Sequence, residues 1–210
     1  MAVSYVLIIV RLMLLKRWKD KMNAKNIMIV GVGGQGTLLT SRIIGKTALS
    51  LGYDVKISEV HGMAQRGGSV VTFVRYGTEV CEPVVEEGQV DILIAFEKLE
   101  ALRYSHFVKK DGIIIVNNQE IQPMTVVIGA MQYPENIIDT LKKEHNIHVV
   151  NGVAISNALG NSKVLNSVVL GASAKFVGFD KDLWLDIIAK TVPQKTIEIN
   201  TKAFLEGYNL

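Results

Sequence analysis

Cysteine and proline are both scarce in this sequence of 210 residues, which contains one cysteine, Cys81, and four prolines. A single thiol cannot form a disulfide framework within the chain. Nor can it supply the four thiolates that a structural zinc ion or an iron–sulfur cluster normally needs. We therefore predict no metal site here and expect any metal cluster to reside on a partner. The 49% hydrophobic composition excludes a disordered linker and indicates one globular domain.

The chain also lacks a concentration of basic residues on its main body. Its net charge of +3 arises in residues 1–21, which hold five cationic side chains against one acidic side chain. The remainder has 18 of the 23 Lys and Arg and 19 of the 20 Asp and Glu, so it is close to neutral. A nucleic-acid-binding domain concentrates cations on its folded surface, so we predict no nucleic-acid partner.

No apolar run near the N-terminus is long enough to span a bilayer, which needs about 20 residues. Residues 2–10 are apolar, but Arg11 interrupts the run and a basic stretch follows it. Cations after the apolar residues are the reverse of a secretory signal, although they suit a short interfacial anchor. We predict that residues 1–21 are an extra segment from a mis-assigned start, and that residues 22–210 form one domain. No membrane span and a cytoplasmic location are expected.

The main body alternates short apolar runs with segments of helical periodicity. Strands are predicted at 27–32, 54–60, 70–75, 91–96, 112–116 and 149–150. Helices are predicted at 37–50, 97–105, 134–145, 163–177, 181–190 and 193–207. This alternation indicates a Rossmann-like α/β fold, an open and mostly parallel sheet with helices on both faces. Residues 70–85, two β-rich runs around Tyr76 and Gly77, predict an antiparallel hairpin insertion.

The first glycine-rich segment, Gly31–Gly36, follows a predicted strand and precedes a helix. Its Gly-x-Gly-x-x-Gly pattern permits a tight turn, a close approach of backbone to phosphate, and anion binding by free N–H groups at the helix start. Dinucleotide-binding folds also place an acid about 20 residues further on to hold the ribose, and Glu59 lies near that position. Alternatively, the glycines only allow the turn and helix to pack.

The second glycine-rich segment, Glu59–Gly68, is unlike the usual continuation of a dinucleotide-binding fold. It has the sequence Glu-Val-His-Gly-Met-Ala-Gln-Arg-Gly-Gly and continues into residues 69–75. Together with Gly31–Gly36 it resembles the gamma-type subunits of the 2-oxoacid:ferredoxin oxidoreductase family, and most closely those of the members that oxidise indolepyruvate. The resemblance covers about residues 26–176, including 91–97 and 160–171.

This resemblance implies a small subunit of a complex that oxidatively decarboxylates an aryl pyruvate with coenzyme A. The products would be the acyl-CoA, carbon dioxide and reduced ferredoxin. In that family thiamine diphosphate, its magnesium ion and the [4Fe–4S] clusters belong to the large alpha subunit, and ferredoxin is engaged through the complex. The resemblance thus implies that this chain binds no redox cofactor alone. Our leading hypothesis is that it is inactive alone and contributes to coenzyme A binding at the glycine segments.

Both glycine segments are expected at the carboxyl ends of the first two strands, where open α/β sheets bind ligands. Arg66 offers a planar fork of donors to a phosphate or a partner's carboxylate. Gln35 and Gln65 suit amide or hydroxyl recognition, and His61 can titrate near neutrality. The predicted binding residues are Gly31, Gly33, Gly34, Gln35, Gly36, Thr37, Glu59, His61, Gly62, Gln65, Arg66, Gly67, Gly68 and Ser69, with no catalytic residue among them.

Two other functions remain open on the sequence alone. The first is an independent module that carries NAD, FAD or AMP on Gly31–Gly36, with Glu59 at the ribose. The second is an assembly scaffold whose glycine segments touch only protein. The first would bind its nucleotide in the isolated chain, whereas the second would have no ligand affinity to lose.

Overall fold

The computed structural model describes residues 24–61 and 67–210, and the six strands of this part form one sheet. The strands are β1 (Lys25–Val32), β2 (Asp54–His61), β3 (Ser69–Gly77), β4 (Val90–Ala95), β5 (Val108–Asn117) and β6 (Asn146–Val150). Their order across the sheet is β2-β3-β1-β4-β5-β6. The β1–β4, β4–β5 and β5–β6 pairs are parallel, whereas β3 is antiparallel to both of its neighbours, β1 and β2.

Eight α-helices connect or follow the strands in the described part of the chain. They are α1 (Thr37–Ser50), α2 (Lys98–Tyr104), α3 (Met124–Val127), α4 (Ile137–Glu144), α5 (Gly152–Ala158), α6 (Leu165–Val177), α7 (Lys181–Thr191) and α8 (Ile197–Tyr208). The sequence did not predict α3 or α5. None of these described helices is long and apolar enough to cross a membrane. The predicted extra segment, residues 1–21, lies outside the described residues.

The sheet has a hydrophobic core on each face, because its central strands are apolar on both sides. On one face Ile29 and Ile94 belong to a core shared with α1, α6, α7 and α8. On the opposite face Met28 and Leu93 belong to a second core shared with α2 and α4. Helices therefore cover both faces of a mostly parallel sheet, which confirms the predicted fold class.

The predicted hairpin is wrong in position. The observed hairpin is formed by β2 and β3, which pair from Asp54 opposite Gly77 to His61 opposite Val70. Its connecting segment is therefore the second glycine-rich segment, not the Tyr76-Gly77 pair. Because β3 returns antiparallel between β1 and β2, it separates two strands that an ordinary dinucleotide-binding fold places side by side.

The chain that follows β3 was expected to form the return strand of that hairpin, and a buried side chain holds it instead. Arg75 is 6% exposed, and its guanidinium donates hydrogen bonds to the carbonyl oxygens of Glu82 and Val84 at 2.7 and 2.9 Å. Its Nε also donates to Asn26 Oδ1 on β1. The chain after β3 is thus held by the Arg75 guanidinium and not by the backbone hydrogen bonds of a strand pair. The β propensity of its residues does not distinguish these two cases.

Candidate functional site

The candidate site lies at the carboxyl ends of β1 and β4. From β1 the chain runs into α1 on one face of the sheet, whereas from β4 it runs into α2 on the opposite face. Because the two connections leave in opposite directions, the ends of these strands form a topological switch point, which is where this class of sheet has its crevice. Open α/β sheets bind ligands at such a point.

The two glycine-rich segments meet at this crevice, as predicted. The N–H of Gly33 donates a 2.9 Å hydrogen bond to the carbonyl oxygen of Gly68. Gly34, Gly36 and Gly67 have φ angles of 103°, 86° and 80°, which side-chain-bearing residues rarely adopt. The turn therefore requires glycine at these places whether or not a ligand is bound.

Gln35 holds the first glycine segment against the neighbouring strands. Its Oε1 accepts a 2.7 Å hydrogen bond from the N–H of Val32. Its Nε2 donates to the carbonyl oxygen of Phe96 and to Gln119 Oε1, both at 3.1 Å. Both ends of this amide are engaged within the chain, so Gln35 positions the loop. The sequence analysis had instead expected its amide to recognise a ligand.

The first turn of α1 presents unused hydrogen-bond donors to the crevice. The first N–H groups of a helix have no partner within it, and no side chain caps this helix. Its first turn contains no acidic residue, so the positive end of the helix dipole is not offset there. This combination favours an anion such as a phosphate.

Two polar side chains lie beside this turn without a hydrogen-bond partner among the described residues. Thr37 begins α1 and Asn166 lies in the first turn of α6, and each is 5% exposed. Asn166 packs directly over Gly36, where an added Cβ would come within 2.9 Å of the Asn166 Cβ. Thr37 was among the predicted site residues, whereas Asn166 entered the sequence analysis only through the family resemblance.

Glu59 lies farther from the first glycine segment than the dinucleotide interpretation requires. It is on β2 and pairs with Thr72 of β3, so β3 stands between Glu59 and β1. Two strand spacings amount to about 10 Å. An acid that holds a ribose belongs on the strand adjacent to the glycine turn, and this strand order excludes that adjacency.

Asn117 connects three strands beneath the crevice, a role that the sequence analysis did not predict. It is fully buried at the end of β5. Its Nδ2 donates to the carbonyl oxygen of Phe96 and to Gln119 Oε1, while its Oδ1 accepts from the N–H of Gly152. These bonds connect the ends of β4, β5 and β6, and so fix the floor of the site.

Ser69 and Glu100 connect the second glycine segment to α2. The Ser69 hydroxyl donates a 2.5 Å hydrogen bond to Glu100 Oε2 and lies 3.3 Å from the Tyr104 hydroxyl. Burial raises the pKa of Glu100 above its usual value of 4.5; the Ser69 hydrogen bond and the Arg103 charge act in the opposite direction. The hydroxyl of the predicted site residue Ser69 is thus bound to the buried carboxylate of Glu100 on α2.

The raised pKa of Glu100 predicts a stability that depends on pH. A carboxyl whose pKa is higher in the folded chain contributes stability below the unfolded value, and this contribution is lost as pH rises through the folded value. Relative to Glu100→Gln, wild type should therefore lose free energy of unfolding from about pH 4.5 upward until the folded pKa is passed. Urea unfolding of both proteins between pH 4 and about pH 8 measures this difference.

Glu198→Gln is the matched control, because Lys202 lowers the pKa of that exposed carboxyl. The pH dependence of stability is then reversed in sign, since any stability that the Glu198 carboxylate contributes is lost as the pH falls. A wild-type stability that stays constant relative to Glu100→Gln across this pH range would contradict the prediction.

The other predicted site residues in the second glycine segment, Gly62, Gln65 and Arg66, lie outside the described residues, as does the side chain of His61. Their contacts stay predictions. Within residues 24–61 and 67–210, no group of three or more His, Cys, Asp or Glu side chains is arranged to hold a metal ion.

Comparison with known proteins places the chain among oxidoreductase subunits. A family model described as pyruvate ferredoxin/flavodoxin oxidoreductase matches residues 26–210. The indolepyruvate oxidoreductase subunit IorB of Thermococcus kodakarensis is 38% identical over 194 residues, which cover 89% of this chain and 95% of that protein.

Solved structures share the fold. The gamma subunit of a keto/oxoacid ferredoxin oxidoreductase from Geobacter sulfurreducens has a TM-score of 0.66 and 25% identity, covering 88% of this chain and 96% of that one. A 2-oxoglutarate:ferredoxin oxidoreductase from Magnetococcus marinus, with 2-oxoglutarate, coenzyme A and succinyl-CoA bound, has a TM-score of 0.70 and 16% identity. That match covers 89% of this chain but only 31% of the longer chain.

Proposed function

This chain belongs to the pyruvate ferredoxin/flavodoxin oxidoreductase family, and we propose that it is the small subunit of an indolepyruvate:ferredoxin oxidoreductase. The complex would convert an aryl pyruvate and coenzyme A to the acyl-CoA and carbon dioxide, with the electrons passing to ferredoxin. The identity to an indolepyruvate oxidoreductase subunit along 95% of that protein supports this substrate class. The same proposal gives the complex a cytoplasmic location.

In this proposal the large alpha subunit carries thiamine diphosphate, its magnesium ion and the [4Fe–4S] clusters. The composition of the small subunit supports that division, because its one cysteine cannot ligate a cluster. The small subunit would then serve to bind and orient a substrate, and would have no activity alone.

The crevice at the start of α1 suits a phosphate of coenzyme A, the polyanionic substrate of the proposed reaction. The observation that carries this assignment is the uncapped helix start, with the buried Thr37 and Asn166 side chains beside it. Backbone N–H groups and the Thr37 hydroxyl would donate to phosphate oxygens, and the Asn166 amide can donate as well. Gly34 leaves the approach open, since an added Cβ there would meet nothing within 4 Å. In the same proposal Arg66 and Gln65 approach the ligand or the partner from the second glycine segment.

Thr37→Val and Asn166→Leu test this assignment in the assembled enzyme. Each variant removes polar groups; Thr37→Val keeps the size of the side chain, and Asn166→Leu keeps its branching at Cγ. We expect the KM for coenzyme A to rise about tenfold for each variant, because a hydrogen bond to a charged group contributes about 1.5 kcal/mol. The KM for the 2-oxoacid and the kcat at saturating coenzyme A should change less than about twofold.

Thr78→Val is the matched control, because Thr78 is exposed and follows the end of β3 at the opposite edge of the sheet. This variant should leave both KM values and the kcat unchanged. An unchanged KM for coenzyme A in both site variants, together with weaker binding of the large subunit, would favour the scaffold alternative. Binding of NAD, FAD or AMP by the isolated wild-type chain would favour the nucleotide-module alternative.

A further inference from the structure

A group of large apolar side chains is exposed on α3 and the turn after it. Met124, Val127, Ile128 and Met131 are 71%, 62%, 68% and 63% exposed, respectively. We call these four residues the apolar surface. Single exposed apolar residues are common on monomeric proteins, but four within one short segment are typical of a binding surface.

The composition of this segment also suits an interface. Between Glu120 and Glu135 the sequence contains no charged residue. Depletion of charge and enrichment in methionine are features of the buried centre of protein interfaces. Methionine is flexible and polarizable, so it adapts to the shape of a partner.

The segment is held at its base by one buried carboxylate next to the candidate site. Glu97 is 1% exposed and lies two residues after the end of β4. Its Oε1 accepts hydrogen bonds from the N–H of Ile121 at 3.1 Å and from the Tyr133 hydroxyl at 2.5 Å. Both ends of the segment therefore meet at one oxygen atom, so the segment is a closed loop whose base lies beside the crevice and which carries the apolar surface.

The position of the crevice beside this loop indicates which kind of partner binds here. Phe96, which precedes Glu97, accepts a hydrogen bond from Gln35 of the first glycine segment. A protein that covers the apolar surface would thus lie next to the proposed coenzyme A site. In the Magnetococcus marinus enzyme this fold makes up 31% of a longer chain, so there the fold is covalently joined to the rest of its enzyme chain.

We propose that Met124, Val127, Ile128 and Met131 dock against an apolar groove of the large subunit and form the centre of its interface with this chain. The proposal rests on the proposed function, which supplies the large subunit as partner. Four side chains of this size suit the apolar centre of a standard interface, which buries about 800 Å² per partner. The large subunit would then border the crevice and restrict the entry of water to it.

Ile128→Asp and Met131→Asp test the docking surface, singly and combined. Because both side chains are exposed, the variants should fold with the melting temperature and circular dichroism of wild type. The dissociation constant for the purified large subunit of the same enzyme, measured by titration calorimetry under anaerobic conditions, should rise at least about thirtyfold for each single variant, since a charge would be buried without a partner.

Leu49→Asp is the matched control, because Leu49 is 57% exposed near the end of α1. It should change the dissociation constant less than about threefold. Tight binding by the Asp variants, or an equal loss with Leu49→Asp, would overturn the docking surface and leave the proposed function intact. Failure of the wild-type chain to bind the large subunit would overturn both. Self-association of wild type that the variants abolish, with unchanged binding to the large subunit, would assign the surface to a second copy and also overturn the proposal.

Discussion

Gly171→Ala should destabilise the chain by about 3–5 kcal/mol, because α6 and α8 touch through their backbones at this residue. A Cβ at Gly171 would lie 2.0 Å from the carbonyl oxygen of Phe204 and 2.8 Å from the N–H nitrogen of Tyr208. Neither atom can move without shifting α8 as a whole. Chemical denaturation should show the loss, and the melting temperature should fall by about 10 °C for a chain of this size.

Gly207→Ala should have a similar effect from the opposite side of the same contact. Its added Cβ would lie 1.9 Å from the carbonyl oxygen of Val168 on α6. Gly45→Ala is the matched control in another helix, since the nearest atom there is the flexible Cδ1 of Ile57 at 2.7 Å. Alanine also favours a helix by about 1 kcal/mol over glycine, so this control should be near neutral. A loss at Gly171 no larger than at Gly45 would contradict the close backbone contact.

Asn117→Leu should cost about 2–4 kcal/mol and should also impair the assembled enzyme. Leucine has a similar shape, but it removes the donor to the carbonyl oxygen of Phe96 and the acceptor for the N–H of Gly152. Buried polar groups left without partners carry most of this cost. Urea unfolding measures the stability. Because the floor of the crevice loosens, the KM for coenzyme A should rise as well.

Asn118→Leu makes the same change at the next residue and serves as the control. The hydrogen bond from Asn118 to Asn151 is exposed to water, so its loss should cost less than about 0.5 kcal/mol. Equal costs at the two positions would show that the buried bonds of Asn117 do not determine the stability of this edge of the sheet.

Most strands and helices could be predicted because local sequence determines them. The apolar run at 27–32 and the helical spacing at 37–50 correspond to β1 and α1. The glycine turn between them was correctly predicted at the carboxyl end of β1, since a glycine pattern directly after a strand is a local sequence signal. The short helices α3 and α5 were missed because 4 and 7 residues carry little periodic signal.

The candidate site was predicted in part. Thr37 and the glycines were found from their pattern, and the contact between Gly33 and Gly68 confirms that the two glycine segments meet. The roles of Asn117 and Asn166 were not foreseen, because each residue acts on groups far away in the sequence. A single asparagine in a sequence gives no sign of which distant carbonyl or N–H it will meet.

The sequence by itself determined the class of fold, the glycine turn and the family, since these depend on local periodicity and short motifs. Only the tertiary structure decided that β3 inserts between β1 and β2 and that Glu97 closes the loop carrying the apolar surface. Strand order depends on pairing between distant segments, and several registers can satisfy the same alternation of apolar residues. The packed fold selects one of them, because that arrangement buries the apolar side chains of both faces of the sheet in two cores.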